Sequence, residues 1–297
     1  MYPRPFQYHR AATLKEAATV LSQLGDDAKL LAGGQSLIPL MKLRLANPSH
    51  LVDLNFVPDA SYVREDGNFV RFGPLTRHAE IENSSVAAQI PILHDCAAGI
   101  ADRQIRNRGT IGGSLAEADP SGDWAAVLLT QNTEVRCLSP RGERTVPLAG
   151  FISDAYTTVL EHDELVREVV VKKPEKGSGG AYLAFKRSAP VYPTASAAVH
   201  LVMDGDTCKQ AAIVLGCVGL VPVKASEAEQ ALRGRKIDDK ALDAVTEAVR
   251  AAVDPQSDMR GSADYKRTLA GALVKRAIAV AMRRARGERV EVSHIYA

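Results

Sequence analysis

The chain has 297 residues, which is enough for two or three domains of ordinary size. With 46% hydrophobic and 24% charged residues, it has the composition of a globular protein with a packed core. The formal net charge of only +2 argues against nucleic acid or an anionic membrane surface as the main partner, and no stretch approaches the roughly 20 apolar residues that a membrane span needs.

The N-terminal residues MYPRPFQYHR lack the apolar run of a secretion signal, which predicts a cytoplasmic protein. The four cysteines lie far apart in the sequence, and none belongs to a CxxC pair. We therefore expect no metal site and no iron–sulfur cluster ligated by this chain alone, and we expect buried thiols in a reducing compartment. The seven histidines share no spacing, so none is assigned to catalysis.

Local signals bound the first predicted helix. Thr13 and Glu16 form a capping box, and Gly25 follows the last apolar residue of the helical face. That face comprises Leu14, Ala17, Ala18, Leu21 and Leu24. Short apolar runs at 28–32 and 50–54 then predict two buried strands. We assign residues 1–57 to a first unit of α/β character.

A second unit is expected over residues 58–176. It begins with a strand at FVRFG (69–73), followed by a helical stretch near 85–101 and a glycine-rich segment. TEVRCL (133–138) and ELVREVVV (164–171) predict two more strands. The stretch KKPEKGSGG (172–180) is charged and glycine-rich and contains a proline, so it is the best domain boundary in the sequence.

Residues 177–297 are expected to form a third, α+β unit. The sequence MDGDT (203–207) places an Asp-Gly pair between two apolar runs, which predicts a hairpin. Ser226 and Glu229 are expected to cap a helix. Two further helices are predicted from apolar faces, one with Ala241, Leu242, Val245, Ala248, Val249 and Ala252, the other with Leu269, Ala272, Leu273, Ala277 and Val280. We expect an antiparallel sheet with these helices on one face.

Two glycine turns carry the first functional signal. AGGQS (32–36) directly follows a predicted strand, and RGTIGGS (108–114) lies about seventy-five residues further on. Glycines let backbone N–H groups approach an anion without a Cβ in the way. Two such turns suit a diphosphate held from both sides, although two ordinary tight turns remain the alternative. Neither turn has a Walker lysine or the Rossmann GxGxxG pattern.

Two aspartates follow the second turn, in ADPSGD (118–123). Asp119 and Asp123 suit three roles, namely metal ligand, helix cap, or acceptor for a ribose hydroxyl or an adenine amine. Asp123 precedes the apolar run WAAVLL, which favours the cap. The spacing does not decide among these roles.

Two long segments resemble a known family. LLAGGQSLIPLMKLRLANPSHLVDL (30–54) and IRNRGTIGGSLAEADPSGDWAAVLL (105–129) are similar to the two flavin-binding signatures of the medium subunit of carbon monoxide dehydrogenase-type molybdenum hydroxylases. The same module resembles the middle segment of xanthine dehydrogenase. The resemblance covers essentially the whole chain. It implies two α/β subdomains of the vanillyl-alcohol-oxidase (PCMH) type that hold FAD between them, with a C-terminal α+β domain alongside.

The resemblance also implies which residues contact FAD. The first turn wraps the diphosphate and the second closes over it. Asp123 lies toward the nucleotide end, Lys186 lies at the flavin, and Tyr192 takes the place of an aromatic beside the isoalloxazine. Without the resemblance, Lys186 would be assigned to a surface strand and Tyr192 to a core or domain interface. The full set is Lys29, Leu30, Leu31, Ala32, Gly33, Gly34, Gln35, Ser36, Leu37, Ile100 or Ala101, Thr110, Ile111, Gly112, Gly113, Ser114, Ala118, Asp123, Leu165 or Val166, Lys186 and Tyr192.

In function, the resemblance implies an electron-transfer subunit without a catalytic residue of its own. A large subunit would carry the molybdenum cofactor and a small subunit two iron–sulfur clusters, in a dimer of heterotrimers. Electrons would pass from the clusters to FAD and then to quinone, NAD or oxygen. Within the family that the chain resembles, 4-hydroxybenzoyl-CoA reductases carry a cysteine-rich insertion. This sequence has no such insertion, which favours oxidation or hydroxylation over ring reduction. AGGQS in place of AGGHS points slightly away from carbon monoxide as the substrate.

Two other functions stay open at this level. A stand-alone FAD-dependent oxidoreductase would need its own acid or base beside the flavin, and the sequence offers no convincing pair. An assembly module that has lost its cofactor would not need the glycines, which are intact in both turns.

Overall fold

The computed structural model describes residues 2–188 and 191–292, together with the backbone of 295–296. Its helices are α1 (Leu14–Leu24), α2 (Leu37–Lys42), α3 (His78–Glu82), α4 (Ser85–Gln89), α5 (Pro91–Gly99), α6 (Arg103–Arg106), α7 (Ile111–Glu117), α8 (Trp124–Leu129), α9 (Ser226–Leu232), α10 (Asp239–Ala252) and α11 (Ala263–Ala285). Its strands in the N-terminal half are β1 (Gln7–Arg10), β2 (Ala28–Leu31), β3 (His50–Asp53), β4 (Val63–Asp66), β5 (Phe69–Phe72), β6 (Glu134–Ser139) and β7 (Gly142–Pro147). The later strands are β8 (Ile152–Asp154), β9 (Thr157–Thr158), β10 (Leu165–Lys172), β11 (Ser178–Lys186), β12 (Ala195–Asp204), β13 (Thr207–Gly216), β14 (Val223–Lys224), β15 (Arg235–Lys236) and β16 (Ile295–Tyr296).

The N-terminal part is a parallel three-stranded sheet in the order β1-β3-β2, with α1 packed against it. The helix forms where the sequence predicts it. Thr13 accepts a hydrogen bond from the Glu16 amide, and Gly25 ends the helix at φ 60°. The first glycine turn directly follows the carboxyl end of β2.

The middle part is an antiparallel five-stranded sheet in the order β4-β5-β10-β6-β7. Helices α3 to α8 connect β5 to β6, and the second glycine turn joins α6 to α7, with its residues 111–114 forming the start of α7. Phe72, Trp124 and Phe151 are fully buried in the large core under this sheet. The helical stretch predicted near 85–101 is present as α4 and α5, which Ile90 separates.

The C-terminal sheet follows the order β14-β13-β12-β11-β16 and is antiparallel except for the pair β11–β16. The predicted Asp-Gly hairpin joins β12 to β13, with Gly205 at φ 57°. Helices α9, α10 and α11 cover one face, as expected. The opposite face also lies in a core, because Tyr182, Ala198 and Val214 pack with α5 and α8 of the middle part.

One local prediction is wrong in detail. Ser226 is the first residue of α9 and does not cap it; the N-cap is Ala225, and the Glu229 carboxylate accepts from the Ile213 amide of β13. The domain boundary at 172–180 stays a prediction, and in this stretch β10 ends at Lys172 and β11 begins at Ser178. Across the described residues, no helix is both long and apolar enough to cross a bilayer.

Candidate functional site

The two glycine turns touch each other. A Cβ built on Gly33 would lie 2.3 Å from the Arg108 carbonyl oxygen and 2.8 Å from the Gly109 Cα. A Cβ built on Gly113 would lie 3.8 Å from the Cβ of Ala32. Backbone can approach backbone this closely only where a side chain is missing. The prediction that the two turns converge is confirmed.

The first turn presents unused donors. Within the described part of the chain, the amides of Gly33, Gly34, Gln35 and Ser36 donate to no protein acceptor. Gly34 has φ +73°, a left-handed conformation that favours glycine. Ser36 precedes α2 without capping it through its side chain, so its hydroxyl is not consumed there. Consecutive free amides beside a hydroxyl form a suitable cradle for an anion.

The second turn presents fewer free donors than the first, because within the described residues only the Thr110 amide of residues 110–114 lacks a protein acceptor. The amides of Ile111 and Gly112 donate to the carbonyls of Thr76 and Pro74, and those of Gly113 and Ser114 donate to Thr110. Gly112 is a glycine because a Cβ would lie 2.6 Å from the Pro74 carbonyl oxygen. This turn therefore packs against the first turn and adds one free amide, that of Thr110, rather than a second row of them.

A buried polar cluster holds Asp123. The residue occupies the N-cap position of α8, but its side chain makes no capping hydrogen bond, so the cap interpretation is wrong. Instead, the Tyr182 hydroxyl donates to Asp123 Oδ1 at 2.6 Å, and Lys186 Nζ lies 4.0 Å from the same oxygen. No cluster of three potential metal ligands occurs among the described residues, which gives the metal interpretation no support.

Lys186 is buried, with only 1% of its surface exposed, and the interpretation as a surface lysine is wrong. Its ammonium donates to the Gly99 carbonyl oxygen, which joins β11 to the turn after α5. In that turn Ala101 has φ 42°, and the Ile100 carbonyl accepts from Arg106 at 3.0 Å. The predicted contacts at Ile100 or Ala101 and at Lys186 therefore adjoin one another.

Tyr192 lies at the surface and is 47% exposed, so it is not the core residue of the alternative interpretation. The Arg260 guanidinium stands 5.6 Å from its ring centroid and donates to Ser121 in the loop that leads to Asp123. Ala118, at the start of that loop, is buried with φ 51°. The exposed ring of Tyr192 thus stands near the Asp123 loop.

Of the remaining predicted contacts, Lys29 is exposed and Leu30, Leu31 and Leu37 are half-buried around the first turn, whereas Leu165 and Val166 are core residues. Leu165 and Val166 are neighbours on β10 and point to opposite sides of the sheet. Leu165 packs in the N-terminal core and Val166 in the middle core. Their burial follows from packing alone, and it neither requires nor excludes a ligand.

Two family models cover nearly the whole chain. The model described as FAD binding domain in molybdopterin dehydrogenase matches residues 4–174, and the one described as CO dehydrogenase flavoprotein C-terminal domain matches 180–281. The chain belongs to the FAD-binding family of molybdopterin dehydrogenases. It is an oxidoreductase subunit that uses FAD for electron transfer, as its two motifs predicted.

Full-length relatives agree with this assignment. The flavoprotein subunit is 41% identical over 287 residues to the carbon monoxide dehydrogenase medium chain of Afipia carboxidovorans, covering 96% of this chain and 100% of the relative. It is 37% identical over 296 residues to the 6-hydroxypseudooxynicotine dehydrogenase complex subunit alpha of Paenarthrobacter nicotinovorans, covering 99% and 100%. A solved carbon monoxide dehydrogenase from Hydrogenophaga pseudoflava superposes with a TM-score of 0.93 at 41% identity, covering 96% and 99%.

The residues of the flavoprotein subunit fit FAD. A diphosphate needs hydrogen-bond donors, and the first turn supplies unused amides beside a bare glycine surface. The hydroxyl groups of FAD need acceptors, and Asp123 is a buried carboxylate whose hydrogen bond from Tyr182 occupies only Oδ1. Sequence reasoning missed Tyr182, because nothing local relates it to Asp123, 59 residues earlier.

The second turn contacts a buried histidine, His78, at Gly109. This histidine makes the free energy of unfolding depend on pH. His78 Nδ1 accepts from the Trp124 indole at 3.0 Å, so the ring is neutral with its proton on Nε2. Burial, with the charges of Arg77 and Arg106, lowers the pKa of His78 from 6.5 to about 3. The unfolded chain therefore binds one more proton than the folded chain between these values, and stability falls as the pH falls through this window.

We expect the slope from His78 to be about 1.4 kcal/mol per pH unit. His78→Gln keeps an acceptor for Trp124 but cannot be protonated, so the acid limb of the stability curve should become shallower. Urea unfolding at a series of pH values in this window measures the slope. His94→Gln, at an exposed position on α5, is the matched control and should leave the slope unchanged. Equal slopes in wild type and His78→Gln would contradict the prediction.

Proposed function

We propose that the flavoprotein subunit binds the FAD diphosphate on the amides of Gly33 to Ser36, with residues 110–114 of the second turn on the opposite side. The main support for this proposal is the row of amides at residues 33–36, which donate to no protein acceptor and lie where the two turns are in contact. Asp123 then accepts from a hydroxyl of the nucleotide or the ribityl chain. Lys186 and the Ile100–Ala101 turn lie toward the ring, and Tyr192 lies beside it.

Each of these groups acts through ordinary electrostatics. Backbone amides neutralise the diphosphate without a cation, as at other glycine-rich anion sites. The buried Lys186 ammonium favours negative charge in its surroundings, since little solvent screens it. FAD, when bound, exchanges electrons singly or in pairs, which suits it to link one-electron clusters to a two-electron acceptor.

We propose that the chain works in a cytoplasmic complex with a small iron–sulfur subunit and a large molybdopterin subunit, arranged as a dimer of heterotrimers. Electrons arrive from the clusters and leave to quinone, NAD or oxygen. One relative is named for carbon monoxide and is 41% identical, and another is named for 6-hydroxypseudooxynicotine and is 37% identical. Sequence identity in this subunit therefore does not indicate which substrate the complex oxidises. The substrate is bound on the large subunit, and the reaction is an oxidation or hydroxylation.

Purification of the chain from its native source tests this function. We expect a flavin spectrum with one FAD per chain and co-migrating polypeptides that carry molybdenum and iron. A colourless chain that takes up no added FAD would overturn the cofactor assignment. A yellow chain that turns over a small donor by itself, with no partner, would instead support a stand-alone oxidoreductase.

Asp123→Asn tests the hydroxyl acceptor. The amide retains an oxygen for Tyr182 but replaces the second carboxylate oxygen with a donor, so we expect FAD to bind about 10–100-fold more weakly. Titration of FAD-free chain, followed by flavin fluorescence, measures the dissociation constant. Asp238→Asn is the control, because Asp238 caps the distant helix α10 and asparagine caps about as well. Unchanged FAD affinity in Asp123→Asn would remove Asp123 from the site.

A further inference from the structure

Two side chains outside both motifs connect the glycine turns. Asn55 Nδ2 donates to the Ala32 carbonyl oxygen at 2.8 Å, within the first turn. Arg77 Nη2 donates to Asn55 Oδ1 at 2.6 Å, and Arg77 Nη1 donates to the Arg108 carbonyl oxygen in the second turn. A continuous chain of hydrogen bonds therefore runs from one turn to the other.

Further hydrogen bonds fix both ends of this hydrogen-bond series, at Asn55 and at Arg77. Asp53 Oδ1 accepts from the Asn55 amide at 2.8 Å and from Asn55 Nδ2 at 2.7 Å, which fixes the side chain at the end of β3. The backbone of Arg77 forms an antiparallel bridge with Thr110, and its amide donates to Glu80 Oε2 at 2.7 Å. The backbone of Arg77 thus pairs with the second turn, and its side chain connects to the first turn through Asn55.

The guanidinium of Arg77 lies in an unusual setting. It is partly buried, and its two acceptors named above, an amide oxygen and a peptide carbonyl oxygen, are neutral. Burial and the neighbouring Arg108 lower the pKa of Arg77, and they outweigh the carboxylates of Glu80 and Asp53, which raise it. A partly desolvated cation with neutral acceptors is stabilised when an anion binds nearby, and the free amides of Gly33 to Ser36 are the adjacent anion cradle.

We propose that Asn55 and Arg77 are positioning residues that hold the two turns at the spacing that the FAD diphosphate requires. They act through the Ala32 and Arg108 carbonyls and need not touch the cofactor. The inference rests on the proposed function, since it presumes that FAD lies on the first turn. It predicts that the pair behaves as one unit, because either substitution interrupts the same chain of hydrogen bonds.

FAD titration of the full-length chain tests the pair. Arg77→Met keeps the length of the side chain but removes its donors, and Asn55→Ala removes the link to Ala32. We expect each to weaken FAD binding about tenfold or more and to speed FAD dissociation. The double variant should bind FAD no more weakly than the weaker of the two single variants. Arg77→Lys, which keeps the charge and one donor contact, should lie between wild type and Arg77→Met.

Hydrogen exchange separates positioning from general stability. In the FAD-free chain, Arg77→Met should accelerate amide exchange in segments 31–37 and 107–114 and leave the C-terminal sheet unchanged. Arg71→Met is the matched control, because Arg71 is also partly buried, and its side chain joins Asp66 of β4 to Glu168 of β10 in the middle sheet. It should lower the thermal midpoint without changing FAD affinity or exchange at the turns.

The outcomes are distinguishable. If wild-type chain binds no FAD, the proposed function fails. If wild type binds FAD and the two variants bind it equally well, the positioning role is overturned. If Arg77→Met and Arg71→Met lose FAD affinity in proportion to their loss of thermal stability, the role of Arg77 is structural only, and the inference is again overturned.

Discussion

Asp95→Ala is expected to lower the free energy of unfolding by about 3–5 kcal/mol, the usual effect of leaving a buried charge without its partner. Asp95 is 2% exposed on α5, and both carboxylate oxygens accept from Arg284 of α11, at 2.5 and 2.9 Å. The Tyr182 amide of β11 donates to the same carboxylate at 3.1 Å. Alanine at 95 would leave the buried Arg284 guanidinium with only carbonyl acceptors, those of Gly180 and Val290.

Urea unfolding of the FAD-free chain measures this effect. Asp243→Ala is the control, because it breaks an exposed pair with Lys275 and should change the free energy of unfolding by less than about 1 kcal/mol. The double variant Asp95→Leu with Arg284→Met should recover part of the loss, since two apolar side chains carry no unpaired charge. An Asp95→Ala protein as stable as the Asp243→Ala protein would show that the buried pair contributes little.

Gly33→Ala is expected to weaken FAD binding about a hundredfold, which corresponds to about 2.8 kcal/mol, because the added Cβ forces the two turns apart. The added Cβ would lie 2.3 Å from the Arg108 carbonyl oxygen and 2.9 Å from its carbonyl carbon. Both contacts are backbone atoms, so no side-chain rotation relieves them and the turns must separate. We expect an accompanying loss of about 1–3 kcal/mol in the free energy of unfolding, as for other overpacked sites.

Gly150→Ala is the matched control, because a Cβ there meets no atom within 4 Å and Gly150 is not at positive φ. Flavin content after purification and the FAD dissociation constant are the measurements. Gly113→Ala should have a smaller effect, since its Cβ would press on the Thr110 hydroxyl, a side chain that is able to rotate. Normal FAD affinity in Gly33→Ala would mean that the contact between the turns does not shape the site.

Glycine has two different roles in these turns, one steric and one conformational. Gly33 and Gly112 are required by contacts with backbone of the other turn or of Pro74. Gly34 is required by its left-handed conformation, and its neighbours are the side chains of Ile38 and Leu31. A sequence shows all of them as the same letter, and only the coordinates distinguish a steric requirement from a conformational one.

Local signals in the sequence determined the elements and the identity of the cofactor site. The Thr13 cap, the glycine after α1 and the Asp-Gly hairpin act over a few residues, and all three are found where the sequence places them. The two glycine motifs are also continuous segments, so their resemblance to a flavin-binding family could be recognised without a structure. Short-range chemistry of this kind is independent of how distant segments meet.

The tertiary structure alone decided how the site is assembled. Asn55 and Arg77 are 22 residues apart, and Tyr182 and Asp123 are 59 apart, so no periodicity or spacing relates the members of either pair. The burial of Lys186 and the acceptors of the Ile111 and Gly112 amides likewise depend on which segments lie beside one another. Contacts between distant segments follow from chain topology and packing, and for that reason the sequence showed the two turns but not the side chains that hold them together.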